Sequence, residues 1–209
     1  IEGLQAYTPV LEIPGEVDLA IIVVNAKFVL STIDQCHEKG IKGLCIITAG
    51  FKETGAEGAE AEKQLLAKVR EYGMRCVGPN CLGVVNTHPD IRMDGCFAES
   101  WPDRGNIGFV SQSGALGGGI LNILKDLNLG FAQFISIGNQ ADVNAETALE
   151  YWENEADVEQ ILLYMESIQN PANFRKLASR ISRKKPILAL KAGRSAAGAS
   201  AASSHTGSF

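Results

Sequence analysis

A histidine near the end of the chain stands among small hydroxyl residues and a glycine, in the segment SSHTGS at residues 203–208. An imidazole nitrogen is a good phosphoryl acceptor near neutral pH, and small neighbours let a substrate approach it without steric conflict. A lone histidine is more often structural or exposed, and we assign surface roles to His37, in an amphipathic segment, and to His88, beside a proline. His205 differs from these two through its neighbours, so we treat it as a candidate phosphoryl acceptor.

The segment SQSGA at residues 111–115 joins an apolar run to a predicted helix. A helix N-terminus carries about half a positive charge and up to about four unpaired backbone N–H groups, so phosphate is a natural occupant. The candidate phosphate-binding residues are Ser111, Ser113, Gly114 and Ala115. Alternatively, Ser113 is only an N-cap and the glycine lets strand and helix pack closely. The motif alone does not separate these two interpretations.

The turn GPNCLG at residues 78–83 also follows an apolar run. Asn80 could donate a hydrogen bond to an acyl or phosphate oxygen, and Cys81 could lie close to a thiol or acyl group. The residues alone favour a simpler alternative, a proline-containing turn in which Asn80 satisfies its own backbone and Cys81 fills a gap.

Glu166 follows the run ILLYM at residues 161–165, which puts a carboxylate at the C-terminal end of a predicted buried strand. A carboxylate there could accept the second ring N–H of a histidine and fix its tautomer. The alternative is an ordinary acidic residue near the helix start at Asn170 and Pro171. Both interpretations stay open at this point.

Short apolar, β-branched runs alternate with segments of helical period, which is typical of βαβ units around a parallel sheet buried on both faces. The pattern occurs twice along the chain. It predicts strands at residues 18–24, 43–48, 74–77, 107–111, 131–137, 160–165 and 186–191, and helices at 26–39, 58–72, 115–128, 145–154 and 172–183. Gly40 and Gly73 each follow a predicted helix, where a left-handed C-cap residue is wanted.

We therefore predict an α/β protein with two consecutive parallel-sheet domains, at residues 1–86 and 105–209. The linker at 87–104 contains Pro89 and Pro102 and shows no clear periodicity. The chain opens without the strand and Gly-rich turn that usually begin a nucleotide-binding α/β domain, and residue 209 follows the histidine segment directly. We expect further parts of the protein on both sides.

The composition argues against several classes of protein. Hydrophobic residues make up 45% of the chain and charged residues 21%, as in ordinary soluble globular proteins. The net charge of −5, with its densest basic run at 180–185 ending a helix, argues against a nucleic-acid partner. No apolar stretch approaches the roughly 20 residues that span a bilayer, so we expect no membrane association. Five cysteines without a CxxC spacing favour free thiols in a reducing cytoplasm and no metal site.

Five motifs in order carry a resemblance to a known family: GPNCLG, FVSQSGALG, ILLYMES, PILALKAGRS and ASSHTGS. Together they resemble the ADP-forming acetyl-CoA and acyl-CoA synthetases, which are related to the alpha subunit of succinyl-CoA synthetase. The similarity runs over nearly the whole chain. It implies that residues 1–86 are the later part of a CoA-binding Rossmann-like domain. Residues 105–209 would be most of a flavodoxin-like succinyl-CoA-synthetase domain.

The family implies a reaction in which a CoA thioester and phosphate give an acyl phosphate and CoA. A histidine then takes the phosphoryl group and delivers it to ADP, with Mg²⁺, in a separate ATP-grasp subunit or domain. We expect an oligomer, and we expect this chain alone not to catalyse the full reaction.

The resemblance also implies a role for each candidate residue. His205 would be the phosphorylated residue and Glu166 the carboxylate that orients it. Phosphate would be held by Ser111, Ser113, Gly114 and Ala115. The acyl and thioester end would be lined by Asn80 and Cys81. CoA would contact the residues after the second strand, Ile47, Thr48 and Ala49.

Three places depart from the family pattern. Asn25 stands where relatives often have a proline, and Ala49 replaces an acid of the succinate enzymes. Succinate-type relatives carry a tyrosine shortly after the SG of the phosphate loop, where this chain has glycines at 117–119. This difference favours acetate or another acyl group over succinate.

Two other functions remain as alternatives. The first is a CoA-binding regulatory module of a protein lysine acetyltransferase-type relative, although such relatives typically lose the histidine. The second is an NAD-binding Rossmann protein, although the chain has no GxGxxG followed by an acid.

Overall fold

A computed structural model describes residues 3–99 and 101–193 of the chain. The helices in these ranges are α1 Ala26–Lys39, α2 Ala56–Glu71, α3 Gly114–Asp126, α4 Ala145–Trp152 and α5 Pro171–Ile181. The strands are β1 Leu19–Ile22, β2 Gly43–Ile46, β3 Arg75–Val77, β4 Gly83–Asn86, β5 Met93–Cys96, β6 Arg104–Ser111, β7 Phe131–Ser136, β8 Gln160–Met165 and β9 Ile187–Lys191. Every predicted helix and strand is present. The largest shift of an end is at β6, which begins at Arg104 instead of Ile107.

Capping residues explain where α1 begins and where α1 and α2 end. The side chain of Asn25 accepts a hydrogen bond from the N–H of Lys27 over 3.2 Å, which caps the start of α1. Gly40 closes α1 with a φ of 87°, and Gly73 follows α2 with a φ of 63°. Both glycines occupy the left-handed region that a side chain disfavours, as predicted. Asn25 therefore serves as the N-cap of α1.

The first sheet consists of three parallel strands in the order β1-β2-β3. Helices α1 and α2 pack against it in a buried core that includes Val29, Ile33, Leu44 and Leu65. The central strand β2 is buried from Leu44 to Ile46, whereas Ile21 of the edge strand β1 is 41% exposed. A parallel strand covered on both faces appears in the sequence as a continuous apolar run, as β2 does.

The second sheet has six strands in the order β5-β4-β7-β6-β8-β9. Strands β7, β6, β8 and β9 are parallel to one another, as predicted. Strand β4 runs antiparallel to β7, and β5 runs antiparallel to β4, so this sheet is mixed and not purely parallel. Helices α4 and α5 pack on one face around Trp152, and α3 packs on the other face against Phe109 and Phe134.

The segment interpreted as a linker, 87–104, contains strand β5. Residues 83–86 lie in the predicted first domain, with no strand predicted there, but they form β4, which pairs with β7 of the second sheet. Strands of four residues are too short to reveal a period of two, and β5 has few of the β-branched residues that mark strands. By strand pairing, the first sheet ends at Val77 and the second begins at Gly83. The limits of the two domains themselves stay a prediction.

The candidate residues gather where several chain segments meet at the carboxyl ends of the strands. The N–H of Gln112, just after β6, donates to Tyr164 O on β8 over 3.1 Å. The N–H of Asn139, after β7, donates to Pro79 O in the turn after β3 over 2.9 Å. In residues 3–99 and 101–193, no helix combines the length and apolar character needed to cross a membrane.

Candidate active site

Two adjoining cavities lie at this strand edge. The larger, which we call the cleft, has a volume of about 340 Å³ and is lined by Asn80, Cys81, Leu82, Phe97, Gln112, Ser113, Gly114 and Ala115. The smaller, which we call the inner cavity, is lined by Lys52, Asn80, Gln112, Gly138, Asn139, Gln140, Glu166 and Ser167. Asn80 and Gln112 line both. The fold therefore brings the turn after β3, the loop after β6 and Glu166 into one region.

The loop after β6 forms the wall of the cleft at the start of α3. Ser113 Oγ accepts a hydrogen bond from the N–H of Leu116 over 3.3 Å, so Ser113 does act as an N-cap. The N–H groups of Gly114 and Ala115 stand in the first helical turn, where no intrahelical acceptor is available. The positive end of the helix thus faces the cleft, and an anion suits it. Ser113, Gly114 and Ala115 line the cleft, and phosphate binding by them stays a prediction.

Ser111 has a different surrounding. Its side chain is fully buried, and its Oγ donates to the backbone oxygen of Ser113 over 2.7 Å. Ser111 therefore stabilises the loop through this hydrogen bond and is not one of the residues that line the cleft.

Gln112 connects this loop to the end of β8. Its Oε1 accepts hydrogen bonds from the backbone N–H of Glu166 and, over 2.9 Å, from that of Ser167. Its Nε2 donates to Ser167 Oγ over 3.0 Å. Gln112 was not among the predicted site residues, although its polar side chain inside the SQSGA motif was a visible signal.

Glu166 follows β8 directly, as predicted, and it is buried with 8% of its surface exposed. It lines the inner cavity, and its backbone oxygen accepts a hydrogen bond from Lys191 Nζ over 2.6 Å. Its predicted partner, His205, lies outside the described residues. A contact between Glu166 and His205 therefore stays a prediction.

Asn80 lies in a turn fixed by several hydrogen bonds. It has a φ of 56°, and its N–H donates to Thr48 O over 3.0 Å. Two residues further on, the N–H of Leu82 donates to Ser136 Oγ over 2.9 Å. The Nδ2 of Asn80 donates to Asn139 Oδ1 over 3.3 Å. Asn80 is thus held at the boundary between the cleft and the inner cavity.

The thiol of Cys81 points away from the cleft, towards the first sheet. Its Sγ donates to Ile46 O over 3.3 Å and lies 3.8 Å from Cys45 Sγ. The contact with Cys45, together with burial, raises the pKa of the Cys81 thiol, so the group stays protonated at neutral pH. This geometry favours the gap-filling interpretation of Cys81 over a direct role of its sulfur.

The predicted CoA contacts lie near this turn without lining either cavity. Thr48 is buried, and its Oγ1 donates to Val24 O over 2.7 Å. The N–H of Ile47 donates to Ile22 O over 3.0 Å, and Ala49 is exposed. This segment forms hydrogen bonds both to β1 and to the Asn80 turn. CoA binding by Ile47, Thr48 and Ala49 stays a prediction.

Four polar residues from both domains were not among the predicted site residues: Lys52 and Asn139, which line the inner cavity, and Glu53 and Glu62, which contact Asn139. Asn139 Nδ2 donates to Glu53 Oε2 over 2.6 Å and to Glu62 Oε2 over 2.8 Å. The polar segment Gly138-Asn139-Gln140 after β7 was a signal, because ligand sites of α/β sheets lie beyond strand ends. In the described ranges, no cluster of three or more metal-ligating side chains occurs.

Comparisons with known proteins agree with this architecture. The family model "Succinyl-CoA ligase like flavodoxin domain" matches residues 104–209, and the "CoA binding domain" model matches residues 1–87. The acetate–CoA ligase [ADP-forming] II subunit alpha of Pyrococcus furiosus is 48% identical over all 209 residues, which cover 45% of that protein. Acetate–CoA ligase [ADP-forming] I of Archaeoglobus fulgidus is 44% identical over the same length, which covers 30% of it.

A solved structure is similar over the whole chain. It is the acetyl-coenzyme A synthetase 1 of Ca. Korarchaeum cryptofilum in complex with phosphate and ADP, with a TM-score of 0.92 and 38% identity, and the match covers 45% of that chain. The present chain thus spans less than half the length of these relatives. With both domain models in order and these relatives over its full length, the chain belongs to the ADP-forming acyl-CoA synthetase family. It is the alpha-subunit-like portion, a CoA-binding domain followed by a succinyl-CoA ligase-like flavodoxin domain.

Proposed function

We propose that the protein containing this chain interconverts acyl-CoA, ADP and phosphate with carboxylate, CoA and ATP through a phosphorylated His205. A phosphate oxygen attacks the thioester carbonyl carbon, the C–S bond breaks, and CoA leaves as the thiolate. The acyl phosphate then transfers its phosphoryl group to the His205 imidazole and leaves as a carboxylate. Finally the phosphoryl group passes from histidine to ADP.

The observation that carries the proposal is the meeting of three chain segments around the cleft and the adjoining inner cavity. The α3 N-terminus supplies Ser113, Gly114 and Ala115 for an anion, and Asn80 stands opposite as a polar group for an acyl or phosphate oxygen. Glu166 lines the adjoining inner cavity, where its carboxylate could accept a hydrogen bond from the second ring N–H of a histidine. Phosphoryl transfer depends mainly on positioning and electrostatic stabilisation, and this arrangement offers both.

Further substrates and partners belong to the proposal as well. Two of the acetate–CoA ligase relatives are named as alpha subunits, which supports a partner subunit or fused domain outside this chain. We assign ADP or ATP and Mg²⁺ to that ATP-grasp part, and CoA to the first domain through Ile47, Thr48 and Ala49. The family names favour acetyl among acyl groups, although 4-hydroxybutyrate–CoA ligase is also a relative at 40% identity.

The five cysteines are free thiols, which supports a reducing compartment such as the cytoplasm for the proposed enzyme. The alternative of a regulatory module from a lysine acetyltransferase-type relative finds no support in the comparisons, where the relatives are CoA ligases.

The test is to label the full-length protein with ATP carrying a radioactive γ-phosphate, in the presence of Mg²⁺. We expect an acid-labile, alkali-stable label, as for a phosphoramidate bond, that is lost in His205→Ala. His88→Ala is the matched control and should keep the label, because His88 lies near Asp90 and Asp157, away from the cleft. A His205→Ala protein that is still labelled and still forms acyl-CoA normally would overturn the proposal.

A further inference from the structure

Asn139 lies between the two domains with all its polar atoms engaged. It is 4% exposed. Its Nδ2 donates to Glu53 Oε2 over 2.6 Å and to Glu62 Oε2 over 2.8 Å, both in the first domain. Its Oδ1 accepts from Asn80 Nδ2 over 3.3 Å. Its backbone N–H donates to Pro79 O over 2.9 Å, and its backbone oxygen accepts from Lys52 Nζ.

The two carboxylates decide which way the Asn139 amide faces. Ionised carboxylates only accept hydrogen bonds, so the amide nitrogen must point to them and the amide oxygen away from them. Glu53 is fixed in turn, because its Oε1 accepts from the N–H of Gly50 over 2.5 Å and of Phe51 over 3.1 Å. Glu62, on α2, is 8% exposed and lies 3.6 Å from Lys52 Nζ. Both carboxylates are therefore held in place by contacts other than those with Asn139.

The orientation of the Asn139 amide determines the orientation of the Asn80 side chain. With Oδ1 of Asn139 facing it, the Asn80 side chain must present its nitrogen, and one of its two N–H bonds is used in this contact. The amide oxygen and the second N–H of Asn80 then remain for the two cavities that this residue lines. A flipped Asn139 amide would put nitrogen against nitrogen at this contact.

We propose that Asn139 is a positioning residue for the acyl-transfer step, oriented by Glu53 and Glu62 of the CoA-binding domain and in turn orienting Asn80 at the cleft. This inference rests on the proposed function. It makes the acyl end of the site depend on carboxylates of the first domain, whereas histidine phosphorylation by ATP does not need the acyl end.

The first variant is Asn139→Asp in the full-length protein, which keeps the shape and places a carboxylate against Glu53 and Glu62. The other charged groups that face this position are Lys52, whose ammonium contacts the residue 139 backbone oxygen, and Glu166 across the inner cavity. A carboxyl group among acids binds a proton more readily, and in that form it can donate as the amide did. We expect kcat/KM for the CoA thioester to fall by about 100-fold at pH 8, because misplacing a group at the reacting centre costs a factor of that size. At pH 6 more of the new carboxyl group is protonated, so kcat/KM should recover in part.

The second variant is Glu62→Gln, with Glu60→Gln as the matched control. Glu60 lies on the same helix and pairs with Lys63 at the surface over 3.2 Å. Glu62→Gln should lower kcat/KM for the thioester without the pH-dependent recovery, and the control should leave it unchanged. Labelling of His205 by ATP should proceed at the wild-type rate in all three proteins.

The outcomes separate the two proposals. Wild-type protein that is never labelled would overturn the proposed function itself. Normal labelling of the wild type, together with a wild-type thioester kcat/KM and pH profile in Asn139→Asp and in Glu62→Gln, would overturn the positioning role alone. If Asn139→Asp does not fold, Glu62→Gln decides: a loss confined to thioester kinetics supports the role, and loss of labelling as well contradicts it.

Discussion

The side-chain oxygen of Gln112 accepts a hydrogen bond from the backbone N–H of Glu166. The same oxygen accepts the N–H of Ser167 over 2.9 Å. A side chain of the loop that opens α3 thus fixes the backbone of the candidate orienting carboxylate. This amide group, together with the pairing of β6 and β8, holds the anion end of the site beside Glu166.

Replacing Gln112 by leucine should destabilise the protein and slow histidine labelling. The substitution removes the acceptor for two backbone N–H groups, and a buried unsatisfied donor costs about 1–3 kcal/mol. Gln112→Glu keeps an acceptor oxygen, so it should retain most of the stability but weaken phosphate binding through its charge. Urea unfolding midpoints and the KM for phosphate measure the two effects. A Gln112→Leu protein as stable as wild type would contradict the structural role.

Glu166→Gln should slow labelling by about 100-fold without abolishing it, because the histidine acceptor remains and only the orienting charge is lost. The rate of label incorporation from ATP is the measurement. Glu150→Gln, at an exposed position of α4, is the control and should label at the normal rate. An unchanged rate in Glu166→Gln would show that the carboxylate has no part in the reaction.

We expect monocarboxylic acyl groups to be preferred to succinyl. The described residues that line the cleft include no lysine or arginine, and Leu82 and Phe97 give it an apolar wall. A second carboxylate would lose its hydration there without a cation to pair with. Comparing kcat/KM for acetyl-CoA and succinyl-CoA in the full-length enzyme tests this, and a clear succinyl preference would refute it.

Cys81→Ala should leave the rate of acyl transfer unchanged, since the thiol faces Ile46 and Cys45 and not the cleft. Removing a small buried side chain should lower the free energy of unfolding by about 1 kcal/mol. Turnover and urea unfolding on the same preparations give both values. Turnover that falls while the fold stays intact would restore a direct role for the sulfur.

The stability of the protein should depend on Glu53 in a pH-dependent way. Burial opposes its ionisation, but hydrogen bonds from Asn139, Gly50 and Phe51 outweigh burial and lower its pKa. Its contribution is therefore complete above the unfolded pKa of about 4.3 and is lost as the pH falls through the lower folded pKa. Glu53→Gln should reduce the Tm at pH 7 more than at pH 3. An equal reduction at both pH values would contradict this linkage.

Local patterns predicted most of the fold. The limits of α1 were predicted correctly because a helical period is bounded by a capping asparagine and a closing glycine. The limits of β8 were also correct, because a continuous apolar run marks a strand inside a parallel sheet. Strands β4 and β5 were both missed: β4 has only four residues, and Asp94 and Gly95 give β5 neither alternation nor branched side chains.

The candidate site was only partly predictable for a related reason. Glu166 and Asn80 follow apolar runs, so the strand-end rule identifies them. Asn139 owes its role to Glu53 and Glu62, which are 86 and 77 residues away in sequence, and no local pattern reveals such partners.

The pairing of β4 with β7 has a practical consequence for dividing the protein into its domains. A version of the second domain that started at residue 87 would lack β4 and expose the hydrogen-bonding edge of β7, and open edges invite association between chains. A version that started at Gly83 would keep the edge covered but lose Asn80 and Cys81. All the residues that line the cleft lie at or after Asn80, in the connection between the sheets and beyond it, so a version of the second domain must begin before Asn80 to carry the complete cleft.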